Sequence, residues 1–171
     1  MDDLRALCRD VPDFPKKGII FKDITPLLQD GERFKEVIDR FGERYRDKGI
    51  DVVVSIEARG FIIGPAIAYR LGAGVVPVRK KGKLPWRCYQ ASYDLEYGKD
   101  TLEIHRDAIK PGEKILIVDD LLATGGTAEA VINLVERLKG QVVEIAFLIE
   151  LTALKGRDRL EGYPVFSLIE C

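Results

Sequence analysis

From Glu32 to Lys48 the apolar residues Phe34, Val37, Ile38, Phe41 and Tyr45 recur at helical spacing, with charges between them. That stripe predicts an amphipathic helix closed by Gly49. Asp51–Glu57 contains the run Val52-Val53-Val54, which predicts a buried strand, and Ile62–Leu71 predicts a helix ending at Gly72. Gly74–Arg79, Lys114–Val118, Val142–Leu151 and Val165–Ile169 predict further strands, and Thr101–Ile104 a return strand. Ala128, Val131, Ile132, Val135 and Leu138 give another helix its buried face, with Gly140 as cap. Lys80–Lys99 is polar, contains Gly and Tyr and lacks a helical period, so it reads as a long loop with hairpin-like flanks; Pro111-Gly112 marks a turn. Strand and helix alternate, which predicts an α/β fold: a doubly wound, mostly parallel sheet flanked by helices. Ligands bind such sheets at the carboxyl ends of the strands, so the loops after Glu57, Arg79, Val118 and Leu151 should open toward one cleft.

Residues 115–127 carry the strongest chemical signal. An apolar run ends in Asp119 and Asp120, and Ala123-Thr124-Gly125-Gly126-Thr127 follows where the next helix starts. Free backbone N–H groups and the positive end of the helix dipole converge there, which suits a phosphate. Two carboxylates would repel that phosphate, so they should face another part of the same ligand. The vicinal hydroxyls of a ribose fit, and the negative charge favours a sugar that becomes cationic during reaction. The plainer reading is a strand end with solvated acids and a glycine turn. No Gly-Lys-Ser/Thr follows the glycines, and the spacing Gly-x-Gly-x-x-Gly is absent, which excludes a Walker loop and a dinucleotide fingerprint.

Three other segments carry candidate chemistry. Arg59-Gly60 forms a tight turn into a helix, offering backbone amides and a guanidinium to a pyrophosphate; the alternative is a surface Arg paired with Glu57. Arg79-Lys80-Lys81-Gly82-Lys83 concentrates cations at the start of the long loop, either as a solvated face or as a basic loop closing over a diphosphate. Phe14–Pro26 has the prolines and glycine of a fixed irregular path, and Phe21 offers either a core ring or a flat face for a purine.

Bulk properties narrow the classes. The 171 residues suit one domain over 1–171, and 46% hydrophobic with 32% charged residues is a globular balance. A formal net charge of −1 argues against a nucleic-acid partner. No run approaches the roughly 20 apolar residues of a membrane helix, and Met1-Asp2-Asp3 lacks the pattern of a secretion signal. Cys8, Cys88 and Cys171 are odd in number and far apart, which predicts free thiols in a reducing cytoplasm and no metal site. His105 reads as a surface residue.

The Asp119–Thr127 segment resembles the phosphoribosyl-diphosphate (PRPP) motif of type I phosphoribosyltransferases. The resemblance implies that fold, with a flexible lid loop over 80–100 and a base site built partly from residues 1–30. It implies that Asp119 and Asp120 contact the ribose hydroxyls and that Ala123–Thr127 hold the 5′-phosphate. Arg59, Lys80 and Lys83 would neutralise the diphosphate, with Arg79 reaching the site of a partner subunit in a homodimer. The family's Arg59 turn can hold a non-proline cis peptide, here at Glu57–Ala58.

The lid run Ser92-Tyr93-Asp94-Leu95-Glu96-Tyr97-Gly98, the run from Phe14 and the segment Leu148–Arg157 resemble the adenine phosphoribosyltransferases. That implies Glu96 as the proton-transfer residue, main-chain reading of adenine near Ile20 and Lys22, and a ring sandwiched by Phe21 and Leu151. Lys22 stands where some relatives have Arg, and Ala123 where several 6-oxopurine relatives carry an acid. The implied reaction converts adenine and PRPP to AMP and diphosphate with Mg²⁺ held mainly by PRPP and water, in the cytoplasm. Rival readings are a transferase for another base, a PRPP-sensing regulator without turnover, and an assembly subunit.

Overall fold

A computed structural model describes residues 2–95 and 98–171. Helix α1 (Asp2–Arg5) leads into β1 (Arg9–Pro12) and β2 (Ile20–Asp23), followed by α2 (Thr25–Gln29) and α3 (Gly31–Tyr45). Next come β3 (Val52–Ile56), α4 (Gly60–Leu71), β4 (Gly74–Lys80), β5 (Cys88–Leu95) and β6 (Gly98–His105). The chain continues as β7 (Lys114–Leu122), α5 (Gly126–Arg137), β8 (Gln141–Glu150) and β9 (Val165–Glu170).

Seven strands form one sheet in the order β5-β6-β4-β3-β7-β8-β9. The β4-β3-β7-β8-β9 portion is parallel throughout, and the β5–β6 hairpin adds antiparallel to β4. The apolar runs in β3 and β7 are buried on both faces, as a parallel sheet requires. Val52, Val54, Ile56, Ile115 and Ile117 pack on the α5 side, while Val53, Leu116 and Val118 meet α3 and α4. The amphipathic stripe of α3 buries Val37, Phe41 and Tyr45 there, and Asp30 caps the helix by accepting from the Glu32 and Arg33 N–H groups.

Two segments differ from the sequence expectation. Residues 88–95, expected as loop, form β5, paired residue for residue with β6 from Cys88↔His105 to Leu95↔Gly98. Tyr89, Ala91 and Tyr93 alternate along it and pack on the α5-side core, a two-residue period masked by the polar residues between them. Residues 20–23, expected as irregular, pair antiparallel with β1 in a separate two-stranded sheet. Its small apolar content gave no periodic signal.

Candidate active site

Strand β7 runs through both acids before it ends, because Asp119, Leu121 and Leu122 stay in register with Phe147, Ile149 and Glu150 of β8. The turn is therefore shorter than expected, and α5 begins at Gly126 behind Gly125, whose φ is 86°. A Cβ on Gly125 would lie 2.5 Å from the Gly156 carbonyl oxygen, and one on Gly156 would lie 2.3 Å from that of Ala123. The turn is thus clamped backbone to backbone against the 3₁₀ turn Gly156–Leu160. Glycine at 125 thus serves this backbone packing as well as the left-handed φ. Among the described residues no side chain caps the start of α5. Its first turn, Gly126 to Ala128, lines a small cavity of about 60 Å³ together with Asp119, Leu122, Ala123 and Thr124, among others. That space is far below the roughly 300 Å³ lower end of whole-ligand pockets, so it suits one compact anionic group.

The two acids have different surroundings. Asp119 accepts the Asp120 N–H at 2.8 Å, and Gly60 passes so close that a Cβ there would be 3.0 Å from Asp119 Oδ1. Burial, then the neighbouring Asp120 charge, raise the Asp119 carboxyl well above its ordinary range. Asp120 is buried and pairs with Arg59, Nε to Oδ2 at 2.7 Å. The Arg59 guanidinium also lies 4.7 Å from the Phe21 ring centre, and Phe14 meets that ring edge-on at 5.1 Å. Arg59 therefore does not pair with Glu57.

The Glu57–Ala58 peptide is cis. Beneath this turn Ser55, fully buried, donates to the Gly60 carbonyl at 2.9 Å, and a Cβ on Gly64 would overlap the Ser55 hydroxyl at 1.7 Å. Helix α4 thus rests directly on β3 and fixes where the turn points. Glu57 faces the basic segment: it accepts from Arg79 Nε and Nη2 at 3.3 Å each, from the Lys80 N–H at 3.1 Å and from Lys83 Nζ at 2.5 Å. Burial opposes ionisation, but the Lys83 and Arg79 bonds prevail and draw its carboxyl down to about 2. Lys80 Nζ instead pairs with Asp100 at 2.9 Å. The cations expected to meet a diphosphate are thus each held by a carboxylate of the same chain.

Along β2, Ile20 is 57% exposed while Phe21 and Lys22 are half-buried. Lys22 Nζ is committed to Asp10 at 2.6 Å. Among the described residues strand β2 pairs with β1 alone, which leaves the main chain of its other edge without a strand partner there. Leu151 is half-buried after β8 and donates its N–H to the Leu122 carbonyl. Glu96 lies outside the described residues. His105, expected at the surface, is half-buried beside Trp86, with Nε2 shielded from solvent.

Sequence reasoning gave no role of their own to Ser55, Gly64, Gly156, Asp100 or Tyr93. Ser55 and Gly64 carry a signal only as a small-residue pair across strand and helix, which spacing does not reveal. Tyr93 was read only within the lid pattern, and it donates to Asp100 at 3.2 Å.

The family model for the phosphoribosyl transferase domain matches residues 24–170. The chain is 62% identical over 170 residues to the adenine phosphoribosyltransferase of Trichlorobacter lovleyi, covering 99% of each. It is 60% identical over 167 residues to that of Thermotoga maritima, covering 98% of this chain and 96% of the relative. Among solved structures, the adenine phosphoribosyltransferase of Thermoanaerobacter pseudethanolicus superimposes with a TM-score of 0.96 at 51% identity, covering 99% of both chains. The Saccharomyces cerevisiae enzyme, complexed with D-DIAB and adenine, gives 0.92 at 43% identity, covering 98% and 97%.

Proposed function

Because the chain belongs to the phosphoribosyltransferase family, and within it to the adenine phosphoribosyltransferases, we propose that it transfers the 5-phosphoribosyl group of PRPP to adenine, giving AMP and diphosphate in purine salvage. The observation that carries this reading is the phosphate-sized cavity at the uncapped start of α5, bordered by Asp119 and adjoined by Asp120. Ala123, Thr124, Gly125, Gly126 and Thr127 hold the 5′-phosphate through first-turn N–H groups and hydroxyls. Asp119 and Asp120 take the ribose hydroxyls. As the bond from C1′ to diphosphate lengthens, the negative charge of the acid pair favours the cationic sugar.

Arg59, Lys80 and Lys83 receive the diphosphate, exchanging Asp120, Asp100 and Glu57 for it. Adenine lies against Phe21 and Leu151, with its edge read by the backbone at Ile20 and Lys22. Adenine N9 attacks C1′, and Glu96 manages the proton. The lid, residues 80–100, then excludes water that would hydrolyse the sugar.

The donors present suit Mg²⁺: hard carboxylate oxygens at Asp119 and Asp120, and, among the described residues, no cage of three or more ligating side chains. Mg²⁺ would be held mainly by PRPP and water, with Asp119 and Asp120 as the nearest hard donors of the chain. It would supply positive charge to offset the charge of the leaving diphosphate.

We assign the protein to the cytoplasm as a homodimer in which Arg79 reaches the partner's site. The three free cysteines support the compartment, and among the described residues no helix is long and apolar enough to cross a membrane. The 91% exposed Tyr69 and the 44% exposed Ile62, two turns apart on α4, support a subunit contact. Incubation with radiolabelled adenine, PRPP and Mg²⁺ tests the assignment. Labelled AMP is expected, with unlabelled hypoxanthine, guanine, xanthine and uracil competing poorly. No AMP, or preference for another base, would overturn it.

A further inference from the structure

The Lys80 ammonium pairs with Asp100 at 2.9 Å, and the same carboxylate oxygen accepts the Tyr93 hydroxyl at 3.2 Å. The other Asp100 oxygen accepts the Thr101 N–H at 2.8 Å. The Tyr93 phenol is half-buried, and its ring borders the start of α5: a Cβ on Gly126 would be 3.8 Å from Tyr93 Cδ2. Burial raises the Tyr93 phenol above its ordinary range, and the Thr127 hydroxyl side chain works against that rise. The side chains Tyr93, Asp100 and Lys80 therefore form a polar row whose Tyr93 end lies beside the start of α5. It runs from the proposed 5′-phosphate end of the site to the proposed diphosphate end.

We propose that Asp100 parks Lys80 in the unliganded protein and that the Tyr93 hydroxyl releases it, so that both are positioning residues for the diphosphate. The inference rests on the proposed function. Lys80 has one charge to give, so a diphosphate must take it from Asp100. A partly buried carboxylate abandoned by its cation loses that contact without full access to water. Tyr93 and the Thr101 N–H keep Asp100 hydrogen-bonded after Lys80 departs, which lowers the cost of the exchange. Phenylalanine at 93 would retain the ring packed on the α5-side core and remove only this hydroxyl. Without it, Asp100 relies more on Lys80 and holds it more firmly. With asparagine at 100, Lys80 has no charged partner to leave.

The test is a double-mutant cycle on diphosphate affinity at fixed Mg²⁺, by calorimetry, for wild type, Asp100→Asn, Tyr93→Phe and the double variant. Asp100→Asn is expected to tighten diphosphate about three- to tenfold, and Tyr93→Phe to weaken it about threefold. The double variant should match Asp100→Asn, because the hydroxyl has no carboxylate left to stabilise. Adenine affinity should stay constant throughout, which separates positioning from general damage. Weaker diphosphate binding in Asp100→Asn, or a Tyr93→Phe effect that persists beside Asp100→Asn, would overturn the inference while leaving the proposed function intact. A wild-type protein that binds no diphosphate would overturn both.

Discussion

Arg59 meets Asp120 at 2.7 Å through Nε while its guanidinium plane lies 4.7 Å from the Phe21 ring centre. One side chain thus ties an acid assigned to the sugar to the aromatic ring assigned to the base. Lysine could keep an ion pair with Asp120, but its point charge has no flat face to lay on Phe21. Arg59→Lys should therefore raise the KM for both PRPP and adenine, each by about tenfold, the scale of one charge-assisted contact. Steady-state kinetics with each substrate varied would show it. A rise for PRPP alone would remove the link to the base.

Gly125 and Gly126 are adjacent and differ in what they tolerate. Alanine at 125 would need a left-handed backbone and a Cβ 2.5 Å from the Gly156 carbonyl, whereas at 126 the nearest atom is the Arg159 guanidinium at 3.4 Å. Gly125→Ala should cost about 1–3 kcal/mol from the backbone alone, lower the melting temperature and abolish AMP binding. Gly126→Ala should leave the melting temperature close to wild type. Thermal unfolding of the two variants with and without AMP makes the comparison.

Much of this architecture was legible in the pattern of apolar residues. The doubly buried runs at Val52–Val54 and Ile115–Val118 announce buried strands, and their alternation with helical stripes makes the sheet a parallel one. The acids, the turn and the start of α5 follow one another within a single segment, so local sequence was enough to place a candidate anion site. Contacts between distant segments were not legible. Gly125 depends on Gly156, Glu57 on Lys83, and Lys80 on Asp100, and nothing in their spacing reveals those meetings. The β5 strand was hidden for another reason: its inward residues Tyr89, Ala91 and Tyr93 alternate with polar ones in a segment whose cations dominate the reading.

Glu57 makes the protein sensitive to acid. Its carboxyl, ordinarily near 4.5, titrates at about 2 because Lys83 and Arg79 hold the charged form. A folded-state pKa below the unfolded one contributes stability that is present above the unfolded value. That stability is lost as pH falls from about 4.5 toward about 2. Asp119, whose carboxyl is raised, has the opposite sign: its contribution is present at low pH and fades as pH rises through its folded value. Comparing wild type with Glu57→Gln at each pH cancels the Asp119 contribution. In urea unfolding, the variant should be less stable at pH 6, and the gap should close by pH about 2. A constant gap would show that the Glu57 ion pairs contribute no charge-dependent stability.

Glu96→Gln keeps the shape of the side chain and removes its basicity. Turnover should fall about 10²- to 10⁴-fold, the scale of general acid–base catalysis, while the KM for PRPP changes little. Initial-rate kinetics measures both. An unchanged turnover would free Glu96 of the proton.

The most direct test is a crystal structure of the protein with AMP. The account predicts the phosphate in the cavity at the start of α5, contacted by backbone N–H groups of 124–127, with both ribose hydroxyls on Asp119 and Asp120 and the adenine ring against Phe21. A phosphate bound elsewhere, with that cavity still closed and the two acids turned from the sugar, would contradict it.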